Sequence, residues 1–168
     1  MRLTHLVILL WLMALIGCDS GTATEERADF AIYLLKDSKL TAAQVWSEPL
    51  ESLVLSDSPF LATGDLTSYN WQTHEFSVSA QADSQLATFR RTLGPTVGIP
   101  FIVVVRTERI YLGAFWYAYS SQIPQVPYID VILNSHRIKK CESVLVLEDK
   151  RIDPRIYQAL KAARVLIE

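Results

Sequence analysis

Three types of side chain in this sequence could together form a hydrolytic triad. Nucleophilic catalysis needs a hydroxyl, a base and an acid that orients the base. Ser120 or Ser121, His74 and Asp130 supply these types. No serine, however, lies in a Gly-x-Ser-x-Gly or Ser-x-x-Lys pattern, which would mark an activated nucleophile. A small hydrolase is therefore an alternative hypothesis, and no catalytic residue is assigned.

The sequence gives little support to metal, nucleotide or nucleic-acid binding. Beyond residue 18 the potential soft ligands are His74, His136 and Cys141, and they form no short-spaced ligand pair. The stretch Gly94-Pro-Thr-Val-Gly98 has a proline where a phosphate loop needs amide hydrogens. Residues 18–168 carry 15 basic and 18 acidic side chains, a balance without the positive patch that nucleic acid requires. We predict no metal, no cofactor and no nucleic-acid partner.

Aromatic side chains are the feature that points to binding. The residues predicted to line a ligand groove are Trp71, His74, Trp116, Tyr117 and Tyr119. Strand alternation would place Tyr117 and Tyr119 on one face of a sheet and Trp116 on the other, so that one set packs the core while the other lines a groove. Tyrosine and tryptophan in a groove suit sugar rings or a protein partner. In the alternative interpretation the aromatic rings only pack the sheet against helices, and Trp71 and His74 make a contact that stabilises a turn.

A hairpin over residues 99–119 would position these aromatic side chains. The segment is dense in β-branched and aromatic residues, is interrupted once by Arg106-Thr-Glu-Arg109, and has two halves of strand length. The connection lacks the glycine or asparagine of tight primed turns, so we expect a longer or bulged loop. Gly113, within the second half, indicates a bulge or a close backbone approach.

Shorter segments flank the hairpin and define the fold class. Strands are predicted at residues 30–35, 53–55, 128–133 and 143–147, with a turn and strand at 69–78 and a polar link at 134–140. Helices are predicted at 41–46, at 83–93 with Asp83 as N-cap, and from Asp153-Pro154 onward. The predicted class is α+β, with a mainly antiparallel sheet, a central hairpin and helices packed on one face, including a C-terminal helix. Residues 29–168 are expected to form a single domain.

The N-terminus has the layout of an export signal. Arg2 and His5 precede the apolar run Leu6–Ile16, which is shorter than the roughly 20 residues that span a bilayer. The following residues, 19–27, are small and polar. This order predicts a signal peptide at residues 1–17 and a flexible tether at 18–28. An uncleaved anchor helix is the alternative.

The junction Leu15-Ile16-Gly17-Cys18 resembles the lipobox of bacterial lipoproteins. The resemblance implies cleavage between Gly17 and Cys18, a diacylglyceryl group on the Cys18 sulfur and an acylated amino terminus. Two or three acyl chains make a stable membrane anchor, whereas one chain binds only marginally. Asp19 resembles the signal that retains some lipoproteins in the inner membrane, which implies the periplasmic side of that membrane wherever an outer membrane exists. With Cys18 acylated, Cys141 is either a buried thiol or one that reacts between molecules.

Several segments beyond the tether resemble a group of small bacterial lipoproteins and exported proteins without an assigned activity. The segments are residues 30–37, 69–74, 100–105, 109–116 and 153–157. Those relatives often carry Asn-Gly in the hairpin connection, where this chain has Thr107-Glu108. The resemblance implies export and lipidation and supplies no catalytic residues. We therefore expect a lipid-anchored extracytoplasmic protein on the bacterial cell membrane that binds an envelope ligand, a glycan or a protein partner.

Overall fold

The computed structural model describes residues 29–92, 98–117, 119–131, 136–141 and 148–168. The strands are β1 (Phe30–Leu34), β2 (Leu61–Ala62), β3 (Leu66–Asn70), β4 (Phe76–Val78), β5 (Ile99–Val105), β6 (Glu108–Trp116), β7 (Tyr128–Asp130), β8 (Ile138–Lys139) and β9 (Leu166–Ile167), and the α-helices are α1 (Ala42–Val45), α2 (Ala80–Thr92) and α3 (Pro154–Ala162). Short 3-10 helices lie at Leu50–Ser52, Thr63–Asp65 and Lys150–Ile152.

Within these described residues the strands form two sheets. The larger sheet has the order β2-β1-β5-β6-β7-β8, and the smaller has the order β4-β3-β9. The pairs β6–β7 and β3–β9 are parallel, and the other pairs are antiparallel. The predicted α+β class with a mainly antiparallel sheet is confirmed.

The predicted central hairpin is β5 and β6, and both of its faces are buried. Phe101, Val103 and Val105 belong to a large apolar cluster that includes buried residues of α2 and α3. Ile102 and Val104 point the opposite way, into a small apolar cluster that includes Ala42 and Val45 of α1. Because both faces are covered, the strands are apolar without alternation from residue 99 to 105 and from residue 110 to 116, and the polar residues are confined to the turn end of the hairpin.

The hairpin connection is a two-residue turn, residues 106–107, with Arg106 at a left-handed φ of 55°. The prediction of a longer or bulged loop is therefore wrong. The irregularity lies within the strands, where the register shifts between Val103 and Val104. Gly113 is a point of close approach, as predicted, because a Cβ there would lie 2.4 Å from the Phe101 ring.

The helices begin where the chain offers caps. The Asp153 side chain accepts a hydrogen bond from the Arg155 amide at 2.9 Å, and Pro154 occupies the first turn of α3, as predicted. Helix α2 begins at Ala80 instead of Asp83, because the Ser79 carbonyl accepts from the Asp83 amide at 2.9 Å. Asp83 therefore lies inside the first turn and is not the N-cap.

Other boundaries also differ from the predictions. The predicted polar link contains β8, because the apolar Ile138 within it is buried. Of the strand predicted at residues 53–55, only Leu55 makes backbone pairing of the β type, in an isolated antiparallel bridge with Leu35. Strand β7 ends at Asp130. The predicted strand at 143–147, the predicted end of the second helix at residue 93 and all predictions on residues 1–28 lie outside the described residues.

Among the described residues, no helix combines the length and the apolar character that a bilayer crossing requires.

Candidate functional site

The five residues predicted to line a groove lie in three places. Trp71 and His74 lie together in the turn between β3 and β4, with their rings 5.8 Å apart. Tyr117 and Tyr119 lie together after β6, with ring centroids 5.4 Å apart. Trp116 is buried in the small cluster, on the opposite face of β6 from Phe115. Trp116 faces the small cluster, and the two pairs lie on different segments of the chain, so the structure does not bring the five residues into one groove.

Local hydrogen bonds hold His74 in place. The Asn70 side chain accepts from the amides of Gln72 and Thr73 at 3.0 and 2.9 Å and closes the turn. His74 follows with a φ of 56°, in the left-handed region, and is only 4% exposed. Its Nδ1 lies 3.0 Å from the Tyr69 hydroxyl. The turn conformation of the backbone and this hydrogen bond together fix the position of the imidazole ring.

A buried ion pair next to this turn was missed by the sequence analysis. The Asp149 carboxylate accepts from Arg151 Nε at 2.9 Å and from Nη2 at 2.7 Å. Arg151 Nη1 donates to the Ile138 carbonyl at 2.7 Å, which connects the pair to β8. An Asp-x-Arg spacing at the start of a helix gives no sign of burial, since the same pattern is common at exposed sites. The Arg151 hydrogen bonds lower the pKa of Asp149.

Burial shifts the titration of the groups beside this pair. Desolvation, assisted by the Arg151 cation, lowers the pKa of His74 from 6.5 to about 4. Desolvation also raises the pKa of Tyr69 and of Tyr111, whose rings lie in the large cluster. All three side chains are therefore neutral near pH 7, where a buried neutral histidine acts as a hydrogen-bonding group of the core.

The depressed pKa of His74 predicts a loss of stability in mild acid. The unfolded chain takes up a proton near pH 6.5 and the folded chain only near pH 4, so the free energy of unfolding falls as pH decreases between these values. The full loss is roughly 3 kcal/mol. We expect His74→Asn to remove most of this dependence, because asparagine tolerates a positive φ and does not titrate. Urea denaturation between about pH 7.5 and pH 4.5 measures it.

His136→Asn is the matched control for this prediction. Desolvation and the Arg90 cation also lower the pKa of His136, but its neighbours are Arg90, Asp83 and the Phe76 ring instead of Tyr69 and the Arg151 pair. The control should keep most of the pH dependence. Equal slopes in the wild type and in His74→Asn would contradict the assignment to His74.

The residues considered for a hydrolytic triad have separate partners. His74 Nδ1 contacts Tyr69, the fully buried carboxylate of Asp130 lies 3.2 Å from Lys139 Nζ, and Ser120 Oγ accepts from the Gln122 amide at 3.2 Å. Among the described residues, no group of three or more histidine, cysteine or acidic side chains is placed to hold a metal ion.

An open cleft of about 440 Å³ lies beside α1, on the side of the small cluster. Helix α1 supplies one wall through Ala42 and Ala43, and Trp46 caps that helix at the rim. Residues 121–126 supply the other wall, and the end of β6 supplies Trp116. The volume is in the range of small-molecule sites. Trp116 is the one predicted groove residue that lines this cleft.

Close packing around Gly98 fixes the floor of the cleft. The Gly98 carbonyl accepts from the Ala42 amide at 2.9 Å and thereby ties α1 to the start of β5. Gly98 has a φ of 84°, and a Cβ there would lie 2.5 Å from the Trp116 ring. The position therefore requires glycine. Because glycine has no side chain, the Trp116 ring can pack directly against the backbone at position 98.

A buried thiol supports the opposite wall. Cys141 is buried, and its Sγ donates to the Pro124 carbonyl at 3.1 Å. Of the two alternatives for Cys141, the buried thiol agrees with this position. Pro124 lies between Ile123 and Gln125, so the contact holds the wall from behind.

The residues that form the rim and wall of the cleft were missed by the sequence analysis. Trp46 is 45% exposed and Ile123 is 63% exposed, and Gln122 and Gln125 lie beside them. A helical turn at 41–46 was predicted, and two prolines, Pro124 and Pro127, marked the loop. The sequence does not indicate whether a tryptophan at the end of a short helix is exposed. The contact of Trp46 with a loop some 75 residues later in the chain depends on tertiary packing.

No known family model matches this chain, and neither a curated protein nor a solved structure shows significant similarity to it.

Proposed function

We propose that this chain is a lipid-anchored extracytoplasmic binding module and that the cleft beside α1 is its ligand site. The cleft carries the proposal, because it is open, is walled by two tryptophans and has a rim of exposed apolar side chains, Trp46 and Ile123. Large apolar side chains rarely gather at the rim of a cleft unless a ligand or partner covers them.

The anchored location is proposed from the N-terminal sequence. The order of charge, apolar run, Gly17 and Cys18 resembles a lipoprotein signal. A polar tether of about ten residues would let the domain stand away from the bilayer while remaining attached to it. An anchored domain meets its ligand at the membrane surface, where even a weak affinity gains from the high local concentration.

Binding is proposed in preference to hydrolysis because of how the chemical groups are placed. His74 is buried within the β3–β4 turn, with Nδ1 at hydrogen-bond distance from the Tyr69 hydroxyl. None of the described residues that line the cleft is a histidine, an acid or a cysteine. A catalytic site needs a base within hydrogen-bond reach of the reacting atom, and the cleft walls supply none.

A photoreactive side chain at the rim of the cleft tests the binding function. We expect benzoylphenylalanine in place of Ile123, introduced into the protein in intact cells, to form adducts with a cell-envelope component upon illumination. Val54 is the matched control position, because it is 65% exposed and does not line the cleft. The same adducts from both positions, or none from position 123, would contradict a ligand site in the cleft.

A further inference from the structure

The polar side chains that line the cleft are all uncharged. Gln122, Gln125 and Ser121 contribute side-chain amides and a hydroxyl, and the tryptophans contribute aromatic surface. None of the described residues that line the cleft carries a formal charge. The complementary ligand is therefore uncharged, with hydroxyl or amide groups at its edges and apolar faces between them.

Gln125 has an unsatisfied hydrogen-bond acceptor. Its Nε2 donates to the Ile123 carbonyl at 3.3 Å, while its Oε1 is buried and has no hydrogen-bond partner. Buried acceptors in native proteins nearly always have a hydrogen-bond donor. An acceptor without a partner in the wall of a cleft therefore indicates that a molecule other than this chain supplies the donor. Because this oxygen is not exposed to the cleft, a ligand hydroxyl reaches it only after the amide rotates about its broad terminal torsion, which exchanges the weak 3.3 Å bond of Nε2 to the Ile123 carbonyl for a bond to the ligand.

Trp46 offers a flat surface at the rim. It follows the last residue of α1, is 45% exposed, and is therefore open to stacking. The face of an indole ring is electron-rich, and it attracts the C–H groups that cover one face of a pyranose ring. An aromatic platform beside amide side chains is thus suited to a ring that is apolar on its face and polar at its edge.

From these features we infer that the cleft binds a neutral saccharide of a few rings, with one ring stacked on Trp46 and a hydroxyl donating to Gln125. The inference rests on the proposed binding function and names its ligand class. A volume of about 440 Å³ suits a ligand of this size. A stable protein partner would bury roughly 800 Å² on each side, far more than the surface of this one cleft. An anionic membrane surface would need basic residues, which the described lining lacks.

Saccharide titration tests this inference directly. The full-length protein is purified in a detergent without a sugar headgroup, which would otherwise compete for the cleft. It is titrated with neutral trisaccharides of β-1,4-linked N-acetylglucosamine, β-1,4-linked glucose and α-1,4-linked glucose, and with anionic trigalacturonate. We expect saturable binding of at least one neutral trisaccharide, followed by calorimetry and tryptophan fluorescence, and weaker binding of the anionic probe.

Two variants and one control locate the binding to the cleft. Trp46→Ala should weaken the affinity at least about tenfold, and Gln125→Leu about fivefold, the effect of a single hydrogen bond. Val54→Ala, at an exposed apolar position outside the cleft, should bind as the wild type does. The absence of neutral saccharide binding to the wild type, tighter binding of the anionic probe, or equal affinity in all variants would overturn the inference.

The two proposals fail in distinguishable ways. If neutral saccharides do not bind but the photoreactive group at position 123 still forms adducts that position 54 does not form, the saccharide assignment is wrong and the binding function stands. If neither experiment gives a result that depends on the cleft, both proposals are wrong.

Discussion

Replacing Cys18 with alanine is expected to abolish lipid attachment and to leave the protein without its proposed anchor. The sulfur of Cys18 is the proposed acceptor of the diacylglyceryl group. Each buried methylene of an acyl chain contributes about 0.8 kcal/mol, so two or three chains anchor a protein stably to a membrane. Without them, only the short apolar run of residues 6–16 remains, which is too short to span a bilayer. We expect nearly complete loss of incorporated labelled palmitate and loss of the lipid mass on the mature amino terminus.

Cys141→Ala is the matched control for this experiment. Cys141 is the other cysteine of the chain, and it is buried against the Pro124 carbonyl. This variant should retain its lipid label and its membrane fractionation, since the thiol is not accessible to acylation. Label that persists in Cys18→Ala, or an unmodified mature mass in the wild type, would contradict the proposed anchor and with it the proposed location.

Gly98→Ala, which adds a single methyl group, is expected to cause a large loss of folding stability, much larger than that of Gly64→Ala. A Cβ at position 98 would lie 2.5 Å from the Trp116 ring and 3.2 Å from the Ala42 Cβ. Overpacking of this kind costs about 1–3 kcal/mol. The left-handed φ of 84° adds about 1–2 kcal/mol for a residue with a side chain. The expected loss is therefore roughly 2–5 kcal/mol, a large part of the 5–15 kcal/mol typical of a domain.

Gly64→Ala provides the control for Gly98→Ala. A Cβ at Gly64 would meet no atom within 4 Å, and the residue lies in the 3-10 helix Thr63–Asp65. The added methyl group should leave the free energy of unfolding unchanged or raise it by up to about 1 kcal/mol. Urea denaturation of both variants measures the difference. If Gly98→Ala is as stable as Gly64→Ala, Trp116 does not pack against the backbone at position 98.

The hairpin could be predicted because its information is local. Residues 99–105 and 108–116 are rich in β-branched and aromatic side chains, which favour extended backbone whatever surrounds them. Helix α3 could be predicted for the same reason, since Asp153 and Pro154 act on the first turn that follows them. The predicted start of α2 was wrong because serine and aspartate are both favourable N-caps, and the sequence does not show whether Ser79 or Asp83 takes that position.

The strands that were missed owe their existence to distant partners. β2 and β9 are two residues long, and each pairs with a strand far away in sequence. β8 lies in a polar stretch and is held by β7 and by the Arg151 contact with the Ile138 carbonyl. Segments this short have no propensity of their own to form strands, so their pairing follows from where the rest of the chain folds.

By itself, the sequence determined the α+β class, the central hairpin, the capped C-terminal helix and the opposite orientation of Trp116 along its strand. These properties depend on nearest neighbours and on the two-residue period of a strand. Only the tertiary structure decided that His74 is buried beside Arg151 and that Trp46 meets residues 121–126 across an open cleft. Burial and clefts arise from contacts between segments far apart in the chain, and no local pattern of residue types encodes which distant surfaces will meet.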